Sequence, residues 1–174
     1  SEYFIDAATA GDTFNGEAVR VTAGYIVTAE DSATAETVGV LQGIFYNAAT
    51  TLKPTFAHWY DGAITPANSE DIKAFVNDNP FQLYNCASDD AVASTIVGAH
   101  AKYLDTFSCT ANTGGSTSTG KSNTTLDIGT THATTQQWRL VRSAEDPENN
   151  DLTAAYCTVV VIQNLNQYID STGS

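Results

Sequence analysis

The chain has 174 residues, with 7 Lys and Arg against 20 Asp and Glu, giving a formal charge of −13. Phosphate binding needs concentrated positive charge, so this balance argues against nucleic acid and equally against an anionic membrane surface. No apolar stretch reaches the roughly 18 residues of a spanning helix, and the length fits one domain able to bury most of its apolar surface.

In chain order, Tyr3, Phe4, Ile5 and Phe14 make residues 1 to 14 an apolar segment, either an arm or an edge strand. Ala18-Val19-Arg20-Val21 and Gly24-Tyr25-Ile26-Val27 read as a short hairpin around Thr22-Ala23, and residues 29 to 37 as loop. Val38 to Tyr46 is the densest apolar run of the first half, and its length fits a strand. Gly39 and Gly43 inside it predict a bulge, a bend or a close backbone approach, as in a small barrel. Lys53 to Phe56 and His58-Trp59-Tyr60 follow, then an Asp61-Gly62 turn. Ile72 to Val76 and Phe81 to Cys86 flank Asn77-Asp78-Asn79-Pro80, which predicts a hairpin. The alternative there is a short helix with Ser69 as N-cap and Glu70 and Asp71 in its first turn.

Asp89-Asp90 is a cap signal for a short helix at Ala91 to Ser94, interrupted by Ile96 to His100. Tyr103-Leu104 and Thr106 to Cys109 read as extended, and residues 110 to 120, rich in Thr, Ser and Gly, as an exposed loop. Thr124 to Ile128 and Trp138 to Arg142 read as strands, Ser143 to Thr153 as an acidic turn region, and Ala155 to Gln163 as a central strand. The expected fold is mainly β: a single-domain small β-barrel or barrel-like sandwich with few short helices, spanning 15 to 168, with 169 to 174 frayed.

Several constellations bear on chemistry. Gly115 to Ser122 fits G-x-x-x-x-G-K-[ST], the phosphate-cradling loop. That chemistry needs a buried strand before the loop and a helix after it, and neither flank has such a sequence here. A P-loop-like nucleotide-binding enzyme is therefore the least favoured reading. His58, His100 and His132 are isolated and lack zinc-ligand spacing. Asp146 to Asp151 offers oxygen ligands without the order of a calcium loop, so it reads as a solvated turn ahead of a weak cation site. Cys86, Cys109 and Cys157 are an odd number without CxxC spacing, which predicts buried thiols and no internal disulfide. Trp59 and Tyr60 read as core aromatics ahead of a sugar-stacking platform. No cofactor, metal or catalytic set emerges from these patterns.

The order of Gly39 to Tyr46, Lys53 to Phe56, Ala74 to Pro80, Gly115 to Gly120 with Ser122, Leu126-Asp127, Leu140-Val141, Asp146 to Asn149 and Val159 to Ile162 with Asn164 resembles small structural proteins of tailed phages, many of them marine. The resemblance covers roughly residues 15 to 168. It implies a capsid decoration or cement protein, made in a bacterial cytoplasm and carried on the outer surface of the virion. The implied partners are the major capsid protein lattice and further copies of the chain, as a trimer at local threefold positions or as a dimer. It implies no catalytic residues and no nucleotide role for the Ser/Thr loop. Tyr3, Phe4, Ile5 and Phe14 are the residues expected to touch the shell or a neighbouring subunit. The runner-up is a glycan-binding module of the virion surface using Trp59 and Tyr60.

Overall fold

The computed structural model describes residues 1–8, 11–29, 35–92, 103–110, 114–129, 136–149 and 151–169. The strands are β1 (Glu2–Ile5), β2 (Ala18–Thr22), β3 (Tyr25–Thr28), β4 (Gly39–Asn47), β5 (Pro54–Ala57), β6 (Ile72–Asn77), β7 (Leu83–Ala87), β8 (Thr106–Phe107), β9 (Gly115–Ser116), β10 (Lys121–Ser122), β11 (Trp138–Ser143) and β12 (Thr158–Gln163). A 3-10 turn at Ala67–Ser69 is the one helical element among the described residues. The protein is mainly β, and every pairing between these strands is antiparallel.

The first sheet runs β1-β6-β4-β2-β3, with β5 added to β4. The second runs β7-β12-β11-β8, and β9 and β10 form a separate pair. β1 comes alongside β3 without a ladder between them, so the first sheet curls without closing.

Two cores follow from the period-2 alternation of the strands. Ala18 and Val40 of the first sheet face Trp138, Leu140, Val159 and Val161 of the second, with Phe107 and Leu126 between. The opposite face of the first sheet buries Val19, Leu41, Ile44, Ile72, Ala74 and Val76 around Tyr60 and Ile5. The central first-sheet strands therefore bury both faces, which explains the continuous apolar run of β4.

The glycines of β4 do what their position predicts. The register on β6 shifts between Leu41 and Gly43, leaving Gln42 as the extra residue of a bulge and keeping Leu41 and Ile44 on one face. A Cβ on Gly39 would stand 2.2 Å from the Asn77 carbonyl oxygen, so β6 packs against bare backbone there. The β2–β3 hairpin also forms, with Ala23 (φ 52°) and Gly24 (φ 88°) as its two turn residues, one position later than the sequence reading. β12 lies inside its sheet between β7 and β11, though it begins at Thr158 rather than Ala155.

Several expectations are corrected. β6 and β7 do not pair as a hairpin. The chain leaves the first sheet at Asn77 and enters the second at Leu83. The Asn79–Gln82 turn redirects it, with Gln82 N–H donating to the Asn79 carbonyl at 3.0 Å and Tyr84 Oη reaching back to the Asn77 carbonyl at 3.0 Å. The Ser69-capped helix is not formed, since the 3-10 turn ends there and β6 begins at Ile72. Tyr103 and Leu104 lie in a turn, with Leu104 at φ 68°. Thr124 to Ile128 holds only isolated bridges from Leu126 to Ser88 and Cys109. Residues 93 to 100, which include half of the Ala91–Ser94 helix segment and His100, lie outside the described residues, as does His132.

Candidate functional site: an aromatic sheet face

Past the part covered by the second sheet, the Val40 face of the first sheet carries a cross-strand row of large side chains. Directly opposed residues in an antiparallel ladder share a face. Phe4 of β1 opposes Lys73 of β6, Lys73 opposes Phe45 of β4, and Phe45 opposes Phe56 of β5. One step along, Glu2 opposes Phe75, and Phe75 opposes Gly43. The missing side chain at Gly43 makes room for Phe56, whose Cζ would lie 2.7 Å from a Cβ there. Phe56 thereby reaches Phe75, with ring centroids 6.0 Å apart, and meets His58 edge-on at 5.8 Å. Phe4 is 42% exposed and Phe56 57% exposed, while Phe45 and Phe75 are half-buried. The Lys73 ammonium pairs with Glu2 at 2.8 Å on the same face. Lys53 precedes and Pro54 opens the edge strand β5, a composition that resists casual strand addition.

Of the four residues expected as contacts, only Phe4 belongs to this face. Residues 2 to 5 are an edge strand of the first sheet rather than a free arm. Ile5 is 1% exposed and Phe14 is 2% exposed, so both side chains lie in the interior of the chain. The Tyr3 hydroxyl donates to Asp78 Oδ2 at 2.8 Å and also meets the Tyr168 hydroxyl. Burial comes first in pushing the Tyr3 hydroxyl upward, reinforced by Tyr168 and Asp78. Burial by itself would raise the Asp78 carboxyl. Hydrogen bonds from Ser1 and Tyr3, with the positive amino group of Ser1, outweigh it and hold the group down at about 2.

Phe45, Phe56 and Phe75 are not singled out as site residues by the sequence, where they stand only as members of predicted strands. The signal was present for one of them: strict alternation through Ile72-Lys73-Ala74-Phe75-Val76 puts Phe75 on the face of Lys73.

Phe14 instead stacks on Trp59, with centroids 4.9 Å apart and planes 8° from parallel. The β9–β10 hairpin lies over this stack. A Cβ on Gly115 would sit 2.4 Å from the Phe14 ring, and one on Gly120 would sit 2.9 Å from Trp59 Cδ1. Tyr60 is fully buried in the core, so the Trp59–Tyr60 sugar platform is not formed. The G-x-x-x-x-G-K-[ST] residues themselves form the hairpin, with Gly120 N–H donating to the Ser116 carbonyl at 2.6 Å. A strand on each side of the turn replaces the strand–loop–helix arrangement that cradles phosphate.

The acidic turn uses its oxygens locally. Asp146 accepts from Glu148 N–H at 3.0 Å and from Thr158 Oγ1 at 3.1 Å, and Asp151 accepts from Thr153 N–H at 3.0 Å. Among the described residues, no group of three or more His, Cys, Asp or Glu stands close enough to hold a metal. Also among them, no helix is long and apolar enough to cross a membrane. Glu17 is fully buried, and its Oε2 accepts from Phe14 N–H at 2.6 Å. It closes the turn that leads into β2.

Comparison with protein families, curated proteins and solved structures finds no match to this chain.

Proposed function

We propose that this chain is a virion structural protein that binds the outside of an assembled phage head and stabilises its lattice. The fold is read as a barrel-like sandwich that presents one sheet face to the shell, as a trimer or dimer of copies. One observation supports the docking step: the aromatic row Phe4–Phe45–Phe56 with Phe75, open to solvent on the first sheet. Contiguous exposed apolar surface on a soluble domain marks an interaction site, and aromatic anchors carry much of the energy at interfaces. Fully burying each Phe is worth about 1.5–3 kcal/mol before ordering costs. A protein that binds only the assembled shell stabilises it by mass action, and an oligomer engaging several subunits multiplies the effect. The net charge of −13 favours a partner surface carrying basic groups around an apolar centre.

Co-sedimentation with purified heads of the source phage tests the proposal. The wild-type chain is expected to pellet with heads, and the double variant Phe4→Ser, Phe56→Ser to bind at least tenfold more weakly while keeping its melting temperature. A wild-type chain that stays in the supernatant at every head concentration would defeat the decoration reading. Equal binding by the double variant would instead reject this face.

A further inference from the structure

The second sheet turns Trp138, Leu140, Val159 and Val161 inwards, so the residues between them on β12 and β11 face out. Two neighbouring rungs of the ladder make up this outer face. Leu83 of β7 opposes Ile162 of β12, which opposes Arg139 of β11. On the next rung Asn85 opposes Val160, which opposes Arg142. Unbroken alternation would pair residue 141 with residue 139 on one face. The register shift between Leu140 and Arg142 makes Val141 the extra residue of a bulge and brings Arg142 to the face of Arg139 instead. Leu83 is 45% exposed, and Phe81, two residues earlier, is 75% exposed. Arg142 and Asn85 are exposed as well, while Ile162 and Arg139 are half-buried.

The chain has 20 Asp and Glu against 7 Lys and Arg, so a carboxylate partner for each arginine is the ordinary expectation. Neither arginine of this face has one. Arg139 Nη2 donates to Asn164 Oδ1 at 2.7 Å, and Arg142 Nη1 donates to the Ser143 carbonyl oxygen at 2.8 Å. Among the described residues the ion pairs are Ser1 with Asp78 and Lys73 with Glu2, away from this face. A guanidinium offers five N–H donors in a planar fork suited to a bidentate carboxylate, and a neutral oxygen takes up only part of it. Beside the two arginines, Leu83 and Ile162 supply the apolar contact that anchors an interface. On an acidic molecule, a face that joins two guanidiniums without carboxylates to apolar surface is complementary to an acidic, amphipathic partner. We infer that the outer face of the second sheet is a docking surface for an acidic segment of a partner protein. The segment sets its carboxylates on Arg139 and Arg142 and an apolar side chain against Leu83 and Ile162. This face belongs to the other sheet from the aromatic row, and its partner does not depend on the shell-binding proposal.

The test selects a displayed library of random short peptides on the full chain. The recovered peptides are expected to be rich in Asp and Glu and to carry at least one large apolar residue. Their affinity should fall at least tenfold on Arg142→Gln and on Leu83→Ser, both exposed positions, with the melting temperature of the wild-type chain retained. Lys121→Gln removes an exposed cation from a different part of the molecule and should leave binding unchanged. An empty selection, or peptides without acidic enrichment, would overturn the inference. So would acidic peptides that bind Arg142→Gln as tightly as the wild-type chain, or that weaken equally on Lys121→Gln, since net charge alone would then account for them. Sedimentation that shows copies of the chain associating through this face, with the association lost in Arg142→Gln, would also reject it, because the occupant would be a second copy.

Discussion

Asp78 collects partners from residues far apart in the chain: the Ser1 amino group, the Tyr3 hydroxyl at 2.8 Å and the Tyr168 hydroxyl at 3.3 Å. Its carboxyl is held at about 2 against an ordinary 3.8. A depressed folded-state value means that the charged form is the one the fold stabilises, so the contribution is complete above about pH 4 and fades as pH falls towards about 2. Thermal melts between pH 5 and pH 2 should show the wild-type chain losing stability more steeply than Asp78→Asn. Parallel profiles would mean that Asp78 contributes nothing to this dependence. Gly39 is a second position where one residue decides a local geometry. A methyl group there would meet the carbonyl oxygen of Asn77 at 2.2 Å and its carbon at 2.9 Å, both backbone atoms that cannot rotate aside. Gly39→Ala should cost about 1–3 kcal/mol in chemical denaturation, as overpacking does. A midpoint unchanged from the wild-type chain would show that β4 and β6 separate freely at this point.

Among the elements, β1 carries the clearest consequence. Its inward side chains Tyr3 and Ile5 oppose Ala74 and Ile72, and Ile5 is 1% exposed. Deleting residues 1 to 10 removes a ladder and a core side chain together, so the truncated chain should melt several degrees earlier. An unchanged melting temperature would mean that the segment is dispensable to the sheet. The elements also show what the sequence made legible. β4, β11 and β12 stand out because β-branched and aromatic residues cluster at strand length, and the glycines of β4 announce its bulge. The β6–β7 hairpin was misread because Asn77-Asp78-Asn79-Pro80 specifies a change of direction without specifying which sheet receives the next strand. In the fold, Cys86 and Tyr84 pack against the core between the two sheets, a long-range contact that the local sequence does not carry. Phe14 and Tyr60 were ambiguous for a related reason: an isolated aromatic carries no periodicity, and here the β9–β10 hairpin and the curled first sheet cover them. Trp138 was legible as a strand residue, while its unpaired indole nitrogen is a property of neighbours that only the fold brings together.

At the scale of the whole molecule, the three cysteines join the two sheets' shared interior without joining each other. Cys86 and Cys109 line a cavity between the sheets, and the Cys157 thiol meets Ser88 Oγ at 3.1 Å. Burial pushes the Cys86 thiol up to about 11, only partly opposed by a hydrogen bond from the Leu126 amide. In the native state Cys86 should therefore react slowly with iodoacetamide at neutral pH, since the thiolate is the nucleophile. In denaturant all three should be alkylated with or without prior reductant, giving one intact mass. Incomplete alkylation that reductant restores would reveal a disulfide. The order of the strands also bears on how the chain is made. β1 is synthesised well ahead of its partner β6, which is complete only once Asn77 has been added. At roughly 5–20 residues per second, β1 waits for several seconds on the ribosome with both edges unpaired and Phe4 exposed on it. Nascent chains on the same message offer one another the same open edge during that interval, so crowded translation is the moment at which this protein is most prone to exchange strands between copies.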